Sequence, residues 1–138
     1  MRRKLLLDTC AAIWLVEGAS LSAAAREAID EAYGLGEPVR VSPISAWEIG
    51  MLISRGRVTA PITPLAWFQQ LVAIDGISLS PLGVETLVGS SFLPGTPPRD
   101  PADRMIVATA REGGLTVVTR DRKILDYAET GHVLALAC

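Results

Sequence analysis

The chain has 138 residues, enough for one ordinary domain with a buried core. At 49% hydrophobic and 20% charged it is rich in apolar residues, yet it holds no run of 18 that could span a bilayer. A net charge of -2 excludes a global basic field, and one histidine with two cysteines excludes both a disulfide framework and a zinc set.

The opening MRRKLLL imitates a secretory leader, but Asp8 breaks the apolar stretch and the residues around Gly18 make a poor cleavage site. The expected location is therefore the cytoplasm, with no membrane partner. KLLL (Lys4 to Leu7) reads as a short buried strand, followed by a helix from Thr9 to Glu17 that Gly18 closes. SLSAAAREAIDEAYGLG carries Ala and Leu at helical spacing, with Ser20 or Ser22 as cap and Gly34 and Gly36 as stops. PVRVS is a second strand. SPISAWEIGMLISRG is a helix capped by Ser42, with Pro43 in its first position and an end near Gly56. TPLAWFQQLVAID repeats that opening at Thr63 and Pro64; ISLSPL is a third strand and GVETLVGSSFL a shorter helix. After the loop PGTPPR come the helix of DPADRMIVATAREGG, the strand LTVVT, the helix RDRKILDYAE and a closing strand HVLAL. Apolar strands alternating with helices predict a mostly parallel sheet covered on both faces, with ligands at the carboxyl edge of its strands.

Four acids fall near that edge. Asp8 follows the first strand, Glu48 lies about five residues into the helix after the second, and Asp121 follows TVVT. Asp103 sits in the first turn of its helix, three residues after Asp100, which with Pro101 forms an ordinary helix start. Each acid also has a plain structural explanation: Asp8 and Asp121 as caps, Glu48 as a helix-surface acid, Asp103 as an arginine's partner. Together they are harder to explain so. Two carboxylates about 4 Å apart repel by roughly 4 kcal/mol at an effective dielectric near 20. A converging set therefore asks for protons or a cation, and oxygen-only ligands select a hard ion such as Mg²⁺ or Mn²⁺. Such a site suits phosphoryl chemistry with water. Arg99, Arg104, Arg111, Arg120, Arg122 and Lys123 surround the last two acids. Arg104 and Arg120, adjacent to Asp103 and Asp121, are the preferred candidates for holding a substrate's phosphates, whereas Arg111 with Glu112 reads as salt-bridged surface. Cys10 has no nearby histidine to activate it and reads as a small packing residue.

LLLDTCAAIW, SPISAWEIGML and RDPADRMIVATAREGGLTVVTRD, in that order, resemble PIN-domain ribonucleases, most closely the VapC-type toxins of toxin–antitoxin pairs. The resemblance spans Leu5 to about Leu136 and is most specific from Asp100 to Asp121. It implies a single PIN-like domain over residues 1–138, a three-layer α/β/α sandwich with a roughly five-stranded sheet. The activity implied is that of a Mg²⁺- or Mn²⁺-dependent endoribonuclease, working as a toxin neutralised by a cognate antitoxin and commonly as a homodimer. On this resemblance Asp8, Glu48, Asp103 and Asp121 are the catalytic and metal-binding residues. Thr119 matches the hydroxyl that accompanies the last acid, while Thr9 and Asp100 are supporting residues. Pro98 departs from the family, where many relatives carry a histidine. Two other readings stay open: a haloacid-dehalogenase-like or other Mg²⁺-dependent phosphohydrolase, which wants a second acid where Cys10 stands, and a catalytically inactive PIN-like binding module. The apolar helices between Ser20 and Asp75 are the expected antitoxin surface.

Overall fold

Three consecutive leucines cannot alternate between core and water, so Leu5–Leu7 can form a strand only where both faces are covered. They do so as β1, with every residue buried. The computed structural model describes residues 3–18 and 20–138; Met1 and Arg2 of the basic start, and Ala19, lie outside it. Around β1 stand β2 (Val39–Val41), β3 (Ile77–Leu79), β4 (Thr116–Thr119) and β5 (Leu134–Ala137). All pair in parallel, in the order β3-β2-β1-β4-β5. Leu5 to Leu7 face Thr116 to Val118 in register. The chain runs from β1 outward through β2 and β3, then returns to place β4 against the other side of β1. The β1/β4 pair is therefore the switch point of the sheet, where ligands of open α/β folds bind.

Among the described residues seven helices cover the two faces: α1 (Thr9–Glu17), α2 (Ala23–Gly34), α3 (Pro43–Ser54), α4 (Pro64–Ala73), α5 (Val84–Gly89), α6 (Pro101–Gly113) and α7 (Arg122–Glu129). Strand alternation assigns the layers. Leu5, Leu7, Val41 and Val118 pack with Ala11 and Ala12 of α1, Ala25 and Ala28 of α2, Ile49 of α3 and Leu71 of α4. Leu6 and Val117, pointing the other way, pack with Ile106, Val107 and Ala110 of α6 and Ile124 and Tyr127 of α7. This is the expected α/β/α sandwich. Emptying one such position, as in Leu6→Ala, costs about 2–5 kcal/mol where the cavity cannot collapse.

Differences from the sequence reading sit at element ends. Helix α2 begins at Ala23 because Ser22, not Ser20, accepts the Ala25 N–H at 3.0 Å; the Ser22 hydroxyl also donates to the Ala137 carbonyl at 2.9 Å. Helix α7 begins at Arg122 rather than Arg120, since the Asp121 side chain takes the orphan N–H groups of Lys123 and Ile124. The last strand is shifted toward the C-terminus, to Leu134–Ala137. Gly114, with φ of 64°, closes α6 in a left-handed turn that feeds β4 directly.

Candidate functional site

Four local events bring the acids together. Strand β1 ends at Leu7, and Asp8 caps α1, its Oδ1 accepting the Ala11 N–H at 2.8 Å. Strand β4 ends at Thr119, and Asp121 caps α7. Asp100 caps α6 by accepting the Asp103 N–H at 3.0 Å, which fixes Asp103 one turn into that helix. Glu48 reaches in from the middle of α3. Asp8, Glu48, Asp100, Asp103 and Asp121 thus line one pocket of about 370 Å³, at the carboxyl edge of β1 and β4. Capping and site membership coexist: Asp8, Asp100 and Asp121 each start a helix and each face the pocket.

Hydroxyls steer two of these acids. Thr119 donates to Asp8 Oδ2, and its oxygen accepts the Asp121 N–H at 2.9 Å. Thr9 donates to Glu48 Oε1 and also pairs with the Ser45 hydroxyl at 2.9 Å. Ser45 escaped the sequence reading, although it precedes Glu48 by three residues and so shares its helix face. No ion pair involves any pocket acid among the described residues, which removes the arginine-partner reading of Asp103.

The electrostatics follow from that crowding. Burial, first, and the charges of Asp121, Asp100, Glu48 and Asp8, next, push the Asp103 carboxyl up to about 8. Desolvation also raises Asp8 and Glu48 above their ordinary values, against the lowering effect of the Thr119, Ala11 and Thr9 hydrogen bonds. Cys10 is exposed as a residue, yet its thiol on the pocket wall is pushed up to about 11, by desolvation and then by four carboxylates. It is a poor nucleophile there.

Among the described residues no three Asp, Glu, His or Cys side chains, as they stand, enclose a single point that could hold an ion. The acids ring the pocket rather than forming a closed cage. That arrangement fits a hard divalent ion that keeps much of its water shell and takes only one or two carboxylates directly. Protons or such an ion are the two ways to relieve five like charges in so small a space, and the all-oxygen donor set suits the ion.

Both preferred phosphate candidates have other partners. Arg104 donates to the carbonyls of Ser90 and Pro98, each at 3.0 Å, and so pins the loop before α6. Arg120 does border the pocket, but its guanidinium stacks on Trp14 at 3.8 Å and donates to the carbonyls of Cys138 (2.6 Å) and Ser20 (2.7 Å). Arg111 and Glu112 do not pair: adjacent helix residues point apart, and they bond His132 O and the Thr86 hydroxyl instead.

A parallel α/β/α fold with a carboxylate-ringed pocket at its switch point defines a class of acid-site phosphoryl-transfer folds. The PIN domain family model matches residues 5–130. The chain belongs to the PIN domain family. It is 38% identical over 124 residues to ribonuclease VapC22 of Mycobacterium tuberculosis, a match covering 88% of this chain and 90% of the relative. Its fold is shared by VapBC2 of Rickettsia felis bound to a promoter DNA fragment, at TM-score 0.65 and 9% identity, covering 96% of this chain and 97% of that one. DNA-bound VapBC of Salmonella typhimurium superposes equally well, at TM-score 0.65 and 19% identity, covering 98% of both chains.

Proposed function

We propose that this chain is a divalent-metal-dependent endoribonuclease that acts as a toxin and is held inactive by a cognate antitoxin. The observation that carries the reading is the pocket in which five carboxylates meet without a cationic side chain paired to any of them. The 38% identity to a relative named a ribonuclease supports RNA as substrate. Family membership supports dependence on a divalent ion; Mg²⁺ or Mn²⁺ is the finer assignment, from the hard-oxygen donor set. Asp8, Glu48, Asp103 and Asp121 are the residues proposed to hold the ion, one or two of them directly and the others through its water shell, and the ion would supply Lewis-acid stabilisation of charge on the phosphodiester. The protein's own groups orient and hold protons. Thr119 fixes Asp8 Oδ2, Thr9 fixes Glu48 Oε1, and Asp100 sets the first turn that carries Asp103. Asp103 keeps its proton at neutral pH in the metal-free protein and would release it to a bound cation.

The phosphatase alternative wants Asp8 free as a nucleophile, but both its carboxylate oxygens are engaged, and Cys10 stands where a second acid is needed. The inactive-module alternative lacks support because none of the four acids is missing. For the antitoxin, the surface between Ser20 and Asp75 exposes Tyr33, Leu35, Trp47, Leu65 and Ile74, and Trp47 is 57% exposed, too much for a core residue. An amphipathic partner helix suits such an exposed apolar surface. We read residues 1–138 as one domain, working in the cytoplasm as a homodimer; among the described residues no helix is long and apolar enough to cross a membrane. The test is cleavage of RNA by the purified chain with Mg²⁺ or Mn²⁺, expected to stop in EDTA and in Asp103→Asn. Cleavage that survives both would overturn the proposal.

A further inference from the structure

Beside the acid pocket lies a second concavity of about 380 Å³, between the loop before α6 and the outer face of α7. Its walls carry Arg99 and Lys123, its apolar lining is Pro97, Pro98 and Tyr127, and Thr96 adds a hydroxyl. Arg99 and Lys123 are exposed and, among the described residues, neither makes an ion pair. The acid in the cleft, Asp126, is already taken by Arg122 at 3.0 Å.

The cleft is pre-formed. Tyr127 is buried, and its hydroxyl donates to the Pro94 carbonyl at 2.5 Å, tying the loop to α7. Arg104 holds the other end of that loop through the Pro98 carbonyl. Gly95 turns between them with φ of 69°, and a side chain there would meet the His132 ring at 2.8 Å. The cleft and the pocket are also lined by neighbouring residues at two points. Arg99 directly precedes Asp100, and the Lys123 N–H donates to Asp121 Oδ1 at 2.8 Å.

We infer that this cleft is the subsite for the nucleotide next to the cleaved phosphodiester, with Arg99 and Lys123 on its phosphate and Thr96 and Pro97 against its sugar, over a floor made by the buried Pro98 and Tyr127. The inference rests on the ribonuclease reading and gives it cations for the substrate backbone that, unlike Arg120 at the acid pocket, are not already committed to carbonyl partners. A volume near 380 Å³ lies within the range of small-ligand sites. Side-chain cations with no internal partner are free to exchange counterions for phosphates. No base is specified by this lining, because its accessible uncharged part is Pro97 and one hydroxyl rather than a donor–acceptor pattern.

The test measures binding of a fluorescein-labelled 12-nucleotide RNA pool of randomised sequence in EDTA, so that nothing is cut, across a salt series. Arg99→Ala/Lys123→Ala should weaken binding about tenfold at low salt. It should also lower the slope of log Kd against log salt by about 1.4, two contacts at about 0.7 each. Arg99→Lys/Lys123→Arg should restore most of the affinity, and Arg57→Ala, which removes an exposed charge lining neither the cleft nor the acid pocket, should leave it unchanged. Melting curves of all variants should coincide. Unaltered affinity and slope in the double alanine variant, with wild-type cleavage intact, would overturn the subsite and leave the ribonuclease reading standing. A wild type that neither binds nor cuts RNA would overturn both.

Discussion

The acid pocket and the cleft beside it carry opposite charges on either side of shared backbone, yet no ion pair joins them among the described residues. Elsewhere on the same surface opposite charges do pair, as Arg122 does with Asp126 and Glu129. The difference lies in how the side chains are held. On the pocket side Asp8, Asp100 and Asp121 are fixed by helix caps, and Thr9 fixes Glu48. On the cleft side Arg99 and Lys123 project into water from a pinned loop and a helix start. Local hydrogen bonds thus keep the two charges from neutralising each other, and both stay available to a ligand.

The harshest way to break this comparison is to remove charge from the pocket. Asp8→Asn and Asp103→Asn should each lower RNA cleavage by orders of magnitude; in the metal-free fold Asp103→Asn should melt no lower near neutral pH, where the carboxyl it replaces already holds its proton. A gel-based cleavage assay beside a melting curve reads both.

Smaller is the effect of pH on the metal-free protein. The Asp103 carboxyl holds its proton up to about 8 in the folded chain, whereas an unfolded aspartate loses it near 4. Between those values the native state binds the extra proton, so stability falls as pH rises and levels off above about 8. Asp8 and Glu48, also raised, act in the same direction. Melts in EDTA from pH 4.5 to 8.5 should show the decline, and Asp103→Asn should flatten it. A melting temperature that climbs over that range would contradict the assigned shift.

The smallest effects separate Asp100 from its neighbour. Asp100→Asn should leave stability nearly unchanged, because Asn caps as well as Asp, while Asp100→Ala should cost on the order of 1 kcal/mol. Either change should affect cleavage only modestly. Should Asp100→Asn prove as inactive as Asp103→Asn while melting normally, Asp100 is a ligand and not only a cap.

Much of this site was legible because its acids are local features. Asp100, Pro101 and Asp103 announce a helix start by spacing alone, and the unbroken LLL and TVV announce strands covered on both faces. Sheet order brings Asp8 and Asp121 to one edge. The roles of the cations were not legible. Adjacency to acids singles out Arg104 and Arg120, but side-chain direction and partners 14, 18 and 100 residues away decide where their guanidinium groups lie. No periodicity encodes such contacts. The same holds for Trp47: its helix reads as apolar throughout, and only the packing of α3 on α4 and α6 shows which side is left bare.

The most direct test of the metal-site claim is the melting temperature of the wild type and of Asp103→Asn, each in EDTA and in millimolar Mg²⁺. An ion that binds only the folded pocket raises stability by about 2.7 kcal/mol at a hundred times its dissociation constant. The wild type should therefore melt higher with Mg²⁺ and return to its starting value in EDTA, with the gain much reduced in the variant. No shift in the wild type, or an equal shift in both proteins, would contradict the assignment of this pocket as the metal site.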